Sequence, residues 1–592
     1  MPIVFGGRRP ARGAVARSRF DENGSSVHDF PVRALRDLRV LTVDCQATGA
    51  SPAFGHVLEM AWSVVRASDD AAPAGEAHWI ALPEGHVVPG RVRQLTGWHP
   101  AVAAEAIPDS EAWRRLRVAT AHDGPMPTAI HYARFELSFL RAWWTRFEPD
   151  APFPFDPVCV HAIAHRLYPE LPRLSLRALA GYLGHGLTLE RRSLGHVEAT
   201  AFIWQRILAD LLARDVDTWE ALHAWLATRP AARPRSPRPR YPIDDQRFRS
   251  LPDQPGVYRF LRRNGDVLYV GKAASLKKRA TSHFIGRSSK LLVPEMLTQV
   301  SDIAVTVTSS ALEAALLENE TIKALNPPYN VQLRSGDPRV WYSDPDFASA
   351  SAAPSDIHRL GPLSSATALR PLGALVELLA GGPPALPVRA HAVGVSALWP
   401  PDEAAFAAGW ARLLVRHGDA LGPSAEGPRW RALRLARALL AAVASTEAGG
   451  DGRDSDETSD SAAEGAWDPE RVVRHLERAA AQAYRAFRRA RWLRLVHDCD
   501  LIYREPDASG PRALRIRAGA IASAPEPGRD DGRDGGRSGS VPPSFDRAGY
   551  DRLRILTTEL KRILRDGGDV CLITRFDRRL DAHRLRGIFS VV

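Results

Sequence analysis

Cysteine is scarce: Cys45, Cys159, Cys499 and Cys571 are the only four in a chain of 592 residues, and they stand far apart. With no CxxC pair and no Cys/His cluster at zinc-ligand spacing, the expectation is a reducing compartment and no zinc. Long apolar runs are missing too. None approaches the roughly 18 residues of a membrane span, and the opening stretch MPIVFGGRRPARGAVARSRF has no apolar signal core. A cytoplasmic protein with no membrane partner is expected. Acidic residues are also outnumbered, 68 Asp+Glu against 79 Lys+Arg for a formal net charge of +11, which favours a polyanionic partner over an acidic small molecule.

A chain of this length exceeds one hydrophobic core and divides, at roughly 100–200 residues per domain, into several units. Residues 1–35 are rich in Arg and Gly and read as a disordered basic arm. The segment 229–242 (RPAARPRSPRPRYP) alternates Pro with Arg, which blocks helix and central strand and leaves an extended cationic linker between domains 36–215 and 248–335. Region 341–592 reads as mainly helical, with disordered insertions near 445–464 and 522–544, where apolar residues are too few to bury.

In the second domain, Val257–Leu261 and Val267–Val270 are β-prone runs joined through Asn264-Gly265, a strong hairpin signal. That turn pairs Tyr258 with Gly271 and sets Tyr269 diagonally beside Tyr258 on the same sheet face. A helix over Ser275–Phe284 carries Lys277, Lys278 and Arg279. Ser310 with Glu313 forms a capping box that opens a helix bearing Glu318 and Glu320, and Pro327-Pro328 stops it.

Gly256-Val257-Tyr258, Tyr269-Val270-Gly271-Lys272, Arg279, LLENETIK and Pro328-Tyr329-Asn330, in this order and spacing, resemble the GIY-YIG endonucleases of the UvrC/Cho type. The resemblance implies a small α/β nuclease domain that hydrolyses a DNA phosphodiester, which needs an activated water and neutralisation of charge on the phosphate oxygens. It assigns Tyr258 or Tyr269 as general base or orienter of water, with the other and Lys272 assisting in the same pocket. Arg279 would hold the scissile phosphate, Glu318 would bind one Mg²⁺ or Mn²⁺, and Asn330 would brace the site. His283 stands where the family often has another Tyr, and can still hydrogen-bond or titrate.

The first domain opens with Val40–Gly49, a buried strand ending in a polar turn around Asp44. That run, with Leu95-Thr96-Gly97, His131–Leu140, Ser175–Ala180 and Arg191–Ala201, resembles the DEDDh 3'-5' exonucleases, of which the epsilon subunit of DNA polymerase III is an example. An RNase H-like fold, a mixed sheet flanked by helices, is implied. Such enzymes hold two metal ions between four carboxylates and use a His as base. Here the first Asp is Asp44, the following Glu is Gln46, the second Asp is Glu136, the His is Arg191 and the last Asp is His196. Two carboxylates beside a guanidinium hold two divalent ions poorly, so the site reads as degenerate. Two escapes stand: Glu198 or Glu59 as substitute ligands, or one metal on Asp44, Glu136 and His196.

The expected architecture is therefore α/β and multidomain: RNase H-like exonuclease fold, GIY-YIG domain, mainly helical C-terminal region. The expected activity is a single DNA nick in nucleotide-excision repair, alone or with a UvrB-like damage-loading protein, the first domain positioning DNA. Alternatives are a dual nuclease that still trims 3' ends and a non-catalytic DNA-binding scaffold. At the end of the chain, LRIRAGAI and VCLITRF suggest strands of a small α/β cap.

Overall fold

The computed structural model describes residues 33–69, 74–186, 192–229, 241–285, 292–330, 339–381, 403–423, 425–449, 467–506, 508, 510–523, 543–575 and 578–589. The chain forms two compact units, divided at Pro239/Arg240. Arg191, most of the 229–242 linker, residues 1–32, and residues 450–464 and 524–542 of the two expected insertions lie outside the described residues. No described helix is long and apolar enough to cross a membrane.

The first unit is a mixed sheet between two layers of helix. Its strands are β1 (Arg39–Ala47), β2 (Val57–Arg66), β3 (Gly75–Trp79), β4 (Met126–Ile130) and β5 (Phe155–Cys159). They lie in the order β3-β2-β1-β4-β5, with β1 antiparallel to β2 and parallel to β4. Helices α1 (Gly90–Thr96), α2 (Asp109–Ala119), α3 (Arg134–Phe147), α4 (Val160–Leu167), α5 (Leu176–Tyr182), α6 (Ser193–Leu212) and α7 (Trp219–Ala227) connect and flank them. Because side chains alternate across a strand, Val40 of β1 packs with Trp204, Ile207 and Trp219 on one face, while Leu41 and Val43 pack with Trp62, Trp113 and Phe139 on the other.

The expected limits of this domain, 36 and 215, are too tight. Leu35 is fully buried, its N–H bonds Asp217, and Trp219 and Leu222 of α7 enter the same core.

The second unit begins with α8 (Asp245–Arg249), before the expected start at 248: Ile243 and Phe248 are core residues, and Phe248 stacks on Phe284 at 4.7 Å. Strands β6 (Gly256–Leu261), β7 (Val267–Ala273) and β8 (Asp302–Val307) form an antiparallel sheet in the order β7-β6-β8. One face carries Tyr258 and Phe260 against α9 (Leu276–Ile285) and α10 (Leu292–Leu297). The other carries Val257 and Val270 against Ala314 and Ile322 of α11 (Ala311–Leu325).

The rest of the unit is mainly helical among the described residues, as expected, and carries two further sheets. Strands β9 (Trp341–Ser343), β10 (Ala350–Ser351) and β11 (Leu360–Leu363) form a small sheet. Helices α12 (Arg370–Ala380), α13 (Glu403–His417), α14 (Pro428–Gly449) and α15 (Pro469–Val496) build their own core around Phe406, Leu435 and Val472. Helix α14 runs through Ser445 to Gly449, where a disordered insertion was expected to have begun. Then β12 (Cys499–Arg504), β13 (Arg512–Arg517), β14 (Ala520–Ser523), β15 (Asp569–Thr574) and β16 (Arg579–Leu580) make a five-stranded antiparallel sheet in the order β14-β13-β12-β15-β16. It is covered by α16 (Arg547–Arg565), and α17 (Ala582–Phe589) follows. Its core takes in Leu312 of α11, so the nuclease-like sheet and the C-terminal sheet share one helix.

Candidate active site

The hairpin β6–β7 sets the geometry. Tyr258 pairs with Gly271, as expected, and the Tyr258 and Tyr269 rings lie 6.1 Å apart. Gly271 is required by this crowding: a Cβ there would stand 2.5 Å from both Cζ and Oη of Tyr258 and 2.8 Å from Cε1 of Tyr269. Tyr258 is fully buried and cannot give way. We predict that Gly271→Ala loses about 1–3 kcal/mol of stability. Displacing the phenols should also cost on the order of 10²-fold in kcat/KM for cleavage. Thermal unfolding and steady-state kinetics check this; an alanine variant of unchanged kcat/KM removes the two phenols from the mechanism.

Around the phenols stand Arg279 and His283, one turn apart on α9. The Tyr258 hydroxyl and His283 Nε2 are 2.8 Å apart. The Arg279 guanidinium acts on the same phenol from close by. Burial pushes the Tyr258 pKa up, reinforced by Tyr269, and Arg279 opposes this without reversing it. Tyr269 is raised by burial and then by Glu318. Burial, helped by Arg279, lowers His283 to about 4, so a neutral imidazole can accept the Tyr258 proton. Both phenols are therefore protonated at neutral pH.

Glu318 comes from α11. That helix forms because Ser310 caps it, its Oγ accepting the Glu313 N–H at 3.1 Å. The Glu313 carboxylate binds Ser309 rather than closing the reciprocal bond to the capping residue. Glu318 Oε1 accepts the Lys272 backbone N–H at 3.0 Å, and its pKa is raised by burial against the lowering effect of Lys272. Among the described residues no group of three His, Cys, Asp or Glu side chains could hold a metal. What Glu318 fits is a hard cation bound by one carboxylate, with water and substrate oxygens completing the shell, the habit of Mg²⁺.

Asn330 occupies a different place. Its Oδ1 accepts the Val270 N–H and its Nδ2 donates to the Val270 carbonyl, both at 2.8 Å, so the side chain substitutes for a neighbouring strand at the sheet edge.

Lys272 departs from the expectation that it shares the phenol pocket. It pairs with Val257, one residue out of phase with Tyr269 and Gly271, and so faces α11. Its ammonium forms an ion pair with Glu559 of α16. The sequence reading missed Glu559, which lies 287 positions from Lys272. Its one local signal is a carboxylate beside the apolar positions Leu556, Leu560 and Ile563 of an amphipathic helix.

In the first unit, β1, α3 and α6 bring Asp44, Glu136 and His196 into one neighbourhood. His196 Nδ1 lies 3.3 Å from Asp44 Oδ1, and although burial lowers the His196 pKa, the contact with Asp44 outweighs it. Glu136 is driven up to about 8, first by burial and then by Asp44. Asp44 Oδ2 and Glu136 Oε2 have no hydrogen-bond partner among the described residues. Gln46 pairs in register with Glu59. Glu59 is fully buried and engaged on both oxygens, its Oε1 bound to Arg192 at 2.7 Å and its Oε2 to the Ser193 N–H at 2.9 Å. Glu198 lies two residues beyond His196, roughly 200° around α6, and faces elsewhere.

Residues 254–331 match the family model described as the UvrC-like GIY-YIG domain, and this part of the chain is an endonuclease domain of that type. UvrABC system protein C of Alkalilimnicola ehrlichii is 50% identical over 101 residues, 17% of this chain and 16% of that protein. The Legionella pneumophila protein is 47% identical over 100 residues, 16% of each. The chain thus spans about one sixth of the length of these relatives. Among solved structures, the magnesium-bound GIY-YIG N-terminal endonuclease domain of UvrC from Thermotoga maritima is 31% identical, covering 14% of this chain and 93% of that one, with a TM-score of 0.14. E. coli Exonuclease I in complex with a dA16 oligonucleotide is 15% identical, covering 38% and 48%, with a TM-score of 0.28.

Proposed function

We propose that the chain is a divalent-cation-dependent DNA endonuclease that makes one single-strand incision in nucleotide-excision repair. The observation that carries this reading is the convergence of Tyr258, Tyr269, Arg279, His283 and Glu318 from a hairpin and two helices on one pocket. Arg279, always charged and partly solvent-facing, holds the scissile phosphate. The buried neutral phenols orient the attacking water, and Tyr258 passes hydrogen-bond polarisation on to His283. A divalent cation on Glu318 would supply neutralisation of charge at the phosphate and the leaving oxygen. Asn330 keeps β7 in place beneath Tyr269. DNA is the substrate, and a UvrB-like loading protein is the partner that delivers it.

The first unit in this proposal is an exonuclease-like domain that holds DNA without cutting it. Supporting this are the pairing of His196 with Asp44, the protonated Glu136 and the engagement of Glu59. The test is cleavage of end-labelled duplexes, plain and bearing a bulky adduct, with Mg²⁺ or Mn²⁺. An internal nick that persists in Asp44→Ala is the expected result. A 3'-end ladder that Asp44→Ala removes overturns the assignment of the first unit, and absence of any nick with a loading protein present overturns that of the second.

A further inference from the structure

One lysine and two carboxylates meet beyond the phenol pocket. Glu318 takes the backbone N–H of Lys272 on Oε1, while the ammonium of the same residue goes to Glu559. Among the described residues, Glu318 Oε2 makes no hydrogen bond.

Glu559 is held from its other side. It is 5% exposed, and its Oε2 accepts Nε of Arg562 at 2.7 Å. Arg562 also approaches Glu505 at 3.6 Å, and Glu505 accepts the N–H groups of Ala311 and Leu312 at the start of α11, at 3.3 and 3.2 Å. Along the same helix pair, Lys323 meets Asp551 at 2.9 Å and Arg552 meets Glu320 at 3.6 Å. Helix α16 is thus locked to α11 by charge pairs at several levels, and the position of Glu559 follows from them.

The consequence concerns the lysine. Its charge already reaches Glu318. A four-carbon side chain released from Glu559 would find Glu318 as the carboxylate to pair with, and an ammonium there would cover the oxygens and cancel the charge that a hard cation needs.

We propose that Glu559 is a positioning residue of the nuclease site: by holding the Lys272 ammonium, it keeps Glu318 open to the divalent cation. The C-terminal sheet and α16 are then part of the nuclease. This rests on the reading of Glu318 as cation ligand.

The experiment is titration of the full chain with Mn²⁺, followed by electron paramagnetic resonance of the free ion, without DNA. In the wild type, one Mn²⁺ binds and is lost in Glu318→Ala; if Glu318→Ala leaves it unchanged, the reading beneath the proposal fails, and the proposal with it. Glu559→Gln is expected to weaken the midpoint on the order of 10-fold, the range found for groups that orient metal ligands. Adding Lys272→Met should restore the midpoint towards wild type, because no ammonium remains to occupy Glu318. A role confined to anchoring α16 predicts otherwise: a lower melting temperature with an unmoved midpoint, or equal weakening in the single and double variants. Either overturns the proposal. Should Glu559→Gln be too unstable to titrate, Glu559→Asp, which keeps the charge but withdraws it, is expected to show a smaller shift in the same direction, and an unchanged midpoint counts against the proposal.

Discussion

Cleavage by Glu318→Ala is expected to fall by at least on the order of 10²–10³-fold, the effect of removing one group that stabilises developing charge. Glu318→Gln should lose nearly as much. The amide can still accept the Lys272 N–H through its carbonyl oxygen, as Oε1 does now at 3.0 Å, but it brings no negative charge to a cation. The two variants differ in stability. Burial raises the Glu318 pKa, so the fold disfavours the charged carboxylate relative to the unfolded chain. Stability from this group is greatest below the unfolded carboxylate pKa and declines as pH rises through the folded one. A glutamine, neutral at every pH, is therefore expected to leave the melting temperature at pH 7 unchanged or higher. Alanine empties space beside Tyr269 and lowers it. Loss of cleavage without loss of stability in Glu318→Gln is the informative result. Retained cleavage in Glu318→Gln removes the carboxylate from the reaction.

The hairpin shows how a correct register can be read from a turn of a different kind. A two-residue Asn264-Gly265 turn pairs Tyr258 with Gly271. The loop observed is longer: Gly265 N–H bonds the Arg262 carbonyl, Arg262 N–H bonds Asp266, and Gly265 has φ +89°. This is a type I turn followed by a left-handed glycine. A register shift between Phe260 and Leu261 then compensates, and Tyr258 still meets Gly271. Local chemistry fixed that pairing twice, through the turn residues and through the alternation of Val257, Tyr258 and Phe260 between two buried faces, where a slip of one residue would bury the wrong set.

Much of the C-terminal region was opaque for the opposite reason. Strand β12 runs through the middle of its sheet, yet Asp500, Ile502 and Arg504 alternate with buried Cys499, Leu501 and Tyr503 directly after a 28-residue helix, and the short run gives little to separate strand from helix end. The strands β13, β14 and β15 were visible as β-branched runs, LRIRAGAI and VCLITRF. What no local pattern carried was the partner of Lys272. An ion pair across 287 positions depends on the docking of α16, which is a property of the packed unit. The same holds for Arg562, Glu505 and the start of α11.

Glu136→Gln should stabilise the first unit in alkaline solution and do little in acid. Glu136 is 6% exposed, and its pKa stands at about 8 in the fold, against 4.5 for the ordinary carboxyl, through burial and then the charge of Asp44. Between those values the unfolded chain releases the proton and the folded chain keeps it, so stability falls as pH rises through this window, by on the order of 3–5 kcal/mol in all. Glutamine has no proton to lose and nearly the same shape. Its melting temperature at pH 8.5 should exceed that of the wild type by roughly 5–10 °C, and the two should nearly coincide at pH 5. Calorimetry of the full chain at the two pH values measures this directly. Added Mg²⁺ supplies the functional contrast. If Asp44 and Glu136 were working metal ligands, Mg²⁺ would stabilise the wild type at pH 8.5 and lose that effect in Asp44→Ala. A wild type indifferent to Mg²⁺ in the first unit is the expected outcome, because His196 engages Asp44 at 3.3 Å. A shift of equal size at both pH values would mean that the carboxyl is not held in its neutral form, and with it would go one of the physical grounds for regarding this site as silent.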